Sequence, residues 1–81
     1  MSIRVLYFAS VSEAIGLTAE TIDLPAHVTT LGALRQHLGA RHPALLTTKN
    51  LRAAVNRRMC DWDATLDDGA EVAFFPPVTG G

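Results

Sequence analysis

The hydrophobic pattern along the chain divides into five short blocks with strand character and one longer stretch with helical spacing. Residues 3–8 (Ile3-Arg4-Val5-Leu6-Tyr7-Phe8) are apolar on both faces except at Arg4, which predicts a strand covered on both sides near the centre of a sheet. Ser10 and Glu13 stand at capping-box spacing, and Gly16 stands where a turn can close in the left-handed conformation. Residues 10–16 are therefore expected to make one short helix. Residues 20–24 alternate polar and apolar until Pro25 stops them, as a half-buried strand should. With Thr29 or Thr30 as N-cap, Leu31, Leu34 and Leu38 share one helical face, while Arg35, Gln36, His37 and Arg41 turn outward. Gly39 weakens the last turn of this main helix and Pro43 forbids its continuation.

Residues 44–50 form a connection with room for one helical turn at Leu45-Leu46. Residues 51–56 alternate weakly as a third strand, Asn56-Arg57-Arg58 turns the chain, and residues 59–62 make a short fourth strand. Leu66-Asp67-Asp68-Gly69 is a strong turn signal. The last strand, residues 70–75, puts Val72 and Phe74 on one face and Glu71, Ala73 and Phe75 on the other. The predicted order is β-β-α-β-β-β, with the first and last strands apolar enough to be neighbours in the middle. One main helix packed across a mixed sheet in that order is the ubiquitin-like β-grasp arrangement, an α+β fold. Residues 1–75 are expected to form this single domain.

Residues 76–81, Pro76-Pro77-Val78-Thr79-Gly80-Gly81, are expected to leave it as a flexible, extended arm. Neither proline can donate to a sheet, and six residues reach roughly 20 Å when fully stretched. Gly80 and Gly81 lack side chains, so the terminal carboxylate is sterically bare and suited to a narrow channel. Only one of Phe74 and Phe75 can face a helix-covered core. Phe8, Met59 and Phe75 are expected to form an exposed apolar patch around the exit of the arm, the kind of surface that partners use.

Four blocks resemble the small subunits of molybdopterin synthase, which are ubiquitin-like sulfur carriers. They are Val5-Leu6-Tyr7-Phe8-Ala9, Leu34-Arg35-Gln36-His37, Ala53-Ala54-Val55-Asn56, and the stretch from Asp68 to the terminal Phe74-Phe75-Pro76-Pro77-Val78-Thr79-Gly80-Gly81. The resemblance implies that an ATP-dependent adenylyltransferase activates Gly81, linking AMP to it transiently, and that a persulfide-derived sulfur then replaces AMP as a thiocarboxylate. It further implies docking on the large synthase subunit in a heterotetramer, with sulfur passed there to cyclic pyranopterin monophosphate. Catalytic side chains would then lie on the partners, and no cofactor would stay bound. Ala70 stands where the family often carries an acidic residue and is expected at the surface. The alternatives are a sulfur carrier for thiazole or cysteine synthesis, a ubiquitin-like modifier of lysines, and a pure interaction module.

Composition narrows this picture without redirecting it. A chain of 81 residues with 48% hydrophobic residues suits one folded domain. A formal net charge of −1 gives no electrostatic case for nucleic acid or an anionic membrane. No apolar run approaches a membrane span and no leader pattern precedes the first strand. Cys60, the one cysteine, precludes an internal disulfide, so a reduced cytoplasmic setting is expected. Cys60 is expected to be a small buried hydrophobe. His27, His37 and His42 are expected as surface or capping residues, with no metal site. Asp61, Asp63, Asp67 and Asp68 are expected in solvated turns or, with Glu71, as an acidic rim that steers the arm. No Ser-His-Asp set or phosphate loop is visible, so independent catalysis is not expected.

Overall fold

In the computed structural model, which describes residues 1–77, the elements follow in the order β1 (Ser2–Tyr7), α1 (Ala9–Ile15), β2 (Ala19–Asp23), α2 (Leu31–Gly39), α3 (Ala44–Thr47), β3 (Arg52–Val55), β4 (Arg58–Met59) and β5 (Glu71–Phe75). The five strands form one sheet in the order β2-β1-β5-β3-β4. β5 therefore occupies the middle, parallel to β1 and antiparallel to β3. The expected pairing of the first and last strands is present, with Val5 opposite Val72 and Tyr7 opposite Phe74.

The stripe Leu31, Leu34 and Leu38 of α2 is fully buried against the sheet face made by Ile3, Val5, Tyr7, Ala53, Val72 and Phe74. The Thr30 side chain caps α2 by accepting from the Ala33 N–H at 3.2 Å. In the core, Tyr7 and Trp62 each stack on Phe74, at centroid distances of 6.2 and 6.4 Å. Among the described residues no helix covers the other face of the sheet, whose positions are partly exposed, and that exposure positions the site described below.

Several local expectations give way to tertiary contacts. Ser10 lies inside α1, whose N-cap is Phe8 without a side-chain cap bond, so the Ser10/Glu13 capping box does not form. Gly16 does close that helix in the left-handed conformation, at φ 84°. The fourth strand is only Arg58–Met59, because the Trp62 carbonyl accepts from the Gly32 N–H at 2.7 Å and draws residues 60–62 toward the start of α2. Cys60 is partly buried, with its thiol 3.2 Å from the Arg58 carbonyl. Arg35 does not simply face water: its Nε donates to the Leu45 carbonyl at 2.6 Å, and its guanidinium lies 4.7 Å from the Trp62 ring centroid. Ala70 is buried rather than superficial, and contributes to the core. Gly39 lets Leu46 pack closely on α2: a Cβ there would stand 2.5 Å from Cγ of Leu46, so that half-exposed side chain would have to shift.

Candidate functional site

The helix-free face of the sheet follows from the strand register. Cross-strand partners present their side chains on the same face, and Leu6 pairs with Ala73, Ala73 with Ala54, and Ala54 with Met59. Phe75 pairs with Arg52 and Arg4 with Glu71 on that same face. The alternation along β5 thus sends Phe74 into the core and Phe75 to the open side, one half-buried residue before Pro76 and Pro77. Phe8, just past β1, is 46% exposed and Met59 is 61% exposed.

Phe8 and Phe75 line one groove of about 420 Å³ together with Leu6, Arg57, Glu71 and Ala73. Phe8 also borders a second depression toward α1, with Ser12, Glu13 and Thr18. Met59 shares the face but sits on the edge strand, beside a separate shallow recess lined by Leu51, Arg52 and Cys60. Of the three side chains expected as one patch, Phe8 and Phe75 line the same groove, and Met59 reaches the same face from β4, two strands from β5. Leu6, Ala73, Arg57 and Glu71 belong to this groove and were not singled out as its lining by the sequence. Pro77 borders a further recess with Asn50, Leu51 and Arg52 at the end of β5. Val78, Thr79, Gly80 and Gly81, the rest of the expected arm, lie outside the described residues.

A polar cluster, also unforeseen, occupies the opposite side of β1. The Tyr7 hydroxyl donates to Oε2 of Glu20 at 2.7 Å, and Nε2 of His42 lies 2.8 Å from the same oxygen. Arg41 approaches Oε1 at 3.4 Å. His42 meets Tyr7 edge-on at a centroid distance of 5.7 Å, so it is a partly buried tie between β2 and the α2–α3 connection rather than a surface residue. Burial pushes the Tyr7 phenol far above its ordinary range, and the hydrogen bond and charge of Glu20 push the same way. Partial burial also raises Glu20, but the hydrogen bonds from Tyr7 and His42 and the charges of His42 and Arg41 outweigh it and hold this carboxyl below its usual value.

Because the folded value lies below the unfolded one, the contribution of Glu20 to stability is complete above the ordinary glutamate value of roughly 4.3. It is lost as pH falls through the depressed folded value. Glu20→Gln is expected to cost about 1–2 kcal/mol near neutral pH. That deficit should shrink on acidification, so the melting curves of variant and wild type converge toward low pH. Melting temperatures that stay a constant distance apart across the acid range would show that Glu20 does not carry this dependence.

No group of His, Cys, Asp or Glu among the described residues is arranged to hold a metal ion. No described helix is long and apolar enough to cross a membrane.

A mixed sheet with one main helix across one face, an apolar groove on the other and a proline pair ending its middle strand defines a ubiquitin-like β-grasp protein. The chain belongs to the ThiS family, whose model matches residues 5–81. It is similar to the molybdopterin synthase sulfur carrier subunit of Escherichia coli, at 48% identity over 98% of this chain and 99% of the relative. A protein of the same description from Chlamydomonas reinhardtii is 41% identical over 100% of both chains. Among solved structures, SAMP1 from Haloferax volcanii superposes with a TM-score of 0.83 at 26% identity, covering 100% of both chains.

Proposed function

We propose that this chain is the sulfur carrier of a molybdopterin synthase and that it bears its sulfur on the carbonyl carbon of Gly81. The observation that carries the proposal is the 48% identity, over nearly the whole of both chains, to a bacterial protein of that description. The site geometry agrees with such a role. The middle strand of the sheet delivers Pro76-Pro77 beside an apolar groove, so a partner that grips the groove also controls where the arm goes.

The chemistry requires an activated terminus, because a carboxylate oxygen is a poor leaving group. An adenylyltransferase joins the Gly81 carboxylate to the α-phosphate of ATP and releases pyrophosphate. The outer sulfur of a donor persulfide then attacks the carbonyl and expels AMP, forming an acyl disulfide with the donor. A thiol that attacks the donor's sulfur leaves as a disulfide with it and frees the thiocarboxylate. The large synthase subunit accepts the arm and passes the sulfur to cyclic pyranopterin monophosphate, in an assembly of two large and two small subunits in the cytoplasm. The AMP is linked only transiently, and the catalytic side chains belong to the partners. Gly80 and Gly81 leave the arm narrow enough for both active sites, and Pro76 and Pro77 reduce the chain entropy lost when it threads them.

The test is the intact mass of the full chain after incubation with ATP, Mg²⁺, a cognate activating enzyme and a sulfur donor. One oxygen replaced by sulfur, localised to Gly81, is the expected result. An unchanged mass, with an activating enzyme shown to be competent on another carrier, would overturn the proposal.

A further inference from the structure

We infer that Arg57 is a specificity-determining residue of the open-face groove, its guanidinium meeting a carboxylate on the large synthase subunit; this rests on the sulfur-carrier reading above. The first observation is conformational. Asn56 and Arg57, the two residues between β3 and β4, have φ of 50° and 69°. A two-residue hairpin turn with both φ values positive favours glycine at its second position. The chain instead holds a long cation there, in a region that side chains rarely adopt.

The second observation is that this turn is anchored to the groove. The Asn56 N–H donates to the Glu71 carbonyl at 2.7 Å, and the Glu71 N–H donates to Oδ1 of Asn56 at 3.0 Å. Arg57 is thereby fixed at the start of β5, lining the groove that Phe8 and Phe75 also line. The third observation is electrostatic. The ion pairs found among the described residues both go to Glu20, so Arg57 pairs with no carboxylate there, although Glu71 lines the same groove. Glu71 is paired in register with Arg4, and Arg52 with Phe75, on this face. Arg57 and Arg4 thus lie at the Glu71 end of β5 and Arg52 at its Phe75 end, while Glu71 is the one carboxylate among the residues that line the groove. A surface that fits these arginines presents acidic side chains around an apolar centre.

A guanidinium offers a rigid fork of donors that matches a carboxylate in two-point geometry. Its attraction strengthens when docking removes water from the apolar groove around it. A charge at such a rim acts on association rate and salt dependence more than on the fold.

The experiment measures binding of the full chain to the isolated large subunit at low and at moderate salt, for wild type, Arg57→Gly, Arg57→Lys and Arg57→Glu. Arg57→Gly suits the backbone of the turn, so it retains the fold while removing the charge. It is expected to bind about tenfold more weakly at low salt, with a shallower salt dependence, and Arg57→Glu about a hundredfold more weakly. Arg57→Lys keeps both the charge and the positive φ, and is expected to stay closer to wild type than Arg57→Gly. Arg57→Gly binding as tightly as wild type, with the same salt dependence, would overturn the inference. A wild-type chain that neither takes up sulfur nor binds the large subunit would instead overturn the sulfur-carrier reading on which it rests.

Discussion

Deletion of Gly80 and Gly81 is expected to abolish sulfur loading while leaving the melting temperature of the domain unchanged. The truncated chain still ends in a carboxylate, but it ends on Thr79 and is shorter by roughly 7 Å of extended backbone. The new terminal residue is β-branched, and under the proposed carrier role its bulk would stand where a bare glycine enters a narrow active site. Gly81→Ala isolates the second effect: it preserves reach and adds one Cβ. It is expected to load at least about tenfold more slowly, a barrier increase of about 1.4 kcal/mol. Among the described residues the core runs from Ile3 to Phe74 and the last strand ends at Phe75, so both variants are expected to unfold like wild type. Intact mass against time, with thermal melts in parallel, checks the pair. Loading of Gly81→Ala at the wild-type rate would remove the argument from a narrow channel.

Phe74→Ala is expected to be the most damaging single change to the fold, and its neighbour Phe75→Ala a mild one. Phe74 is fully buried and stacked by both Tyr7 and Trp62. Truncating such a ring costs about 3–5 kcal/mol through lost burial and the cavity left behind. A domain of this size has roughly 4–8 kcal/mol of stability in total, so the variant should be largely unfolded at moderate urea. Phe75 is half-buried on the open face, so its truncation should cost about 1 kcal/mol of stability. Its larger effect should be on docking, weakening association with the large subunit by about tenfold or more if it is a central anchor there. Urea unfolding midpoints and binding to the large subunit separate the two. A Phe75→Ala variant as destabilised as Phe74→Ala would show that both rings serve the core.

The opposite roles of these adjacent phenylalanines were legible in part. Alternation along a strand says that Phe74 and Phe75 face apart, and the pairing of apolar Val72 and Phe74 says which face is covered. The leucine stripe of α2, the left-handed stop at Gly16 and the central placement of β1 and β5 were legible for the same reason. Each is a periodicity or a backbone preference expressed within a few residues. The Ser10/Glu13 capping box was a false local signal, because the end of β1 leads into α1 through Phe8 and leaves Ser10 inside the helix. The short β4 was misjudged because Trp62, although it follows strand-like residues, is claimed by Gly32 and by the stack on Phe74.

The amino-acid sequence alone determined the β-grasp order of elements, the helix face that is buried and the presence of a proline pair and two glycines at the end of an apolar strand. These depend on side-chain period, on proline's missing donor and on glycine's missing Cβ, all of which act locally. Only the tertiary structure decided that Tyr7, Glu20 and His42 converge from positions 13 and 22 residues apart. It alone decided that Leu46 packs closely over Gly39, that Met59 reaches the open face from the edge strand, and that the turn carrying Arg57 is tied to β5 at the groove's edge. Those meetings depend on strand register and on where the helices come to rest across the sheet. Both are settled by the packing of the whole core, which no short stretch of sequence encodes.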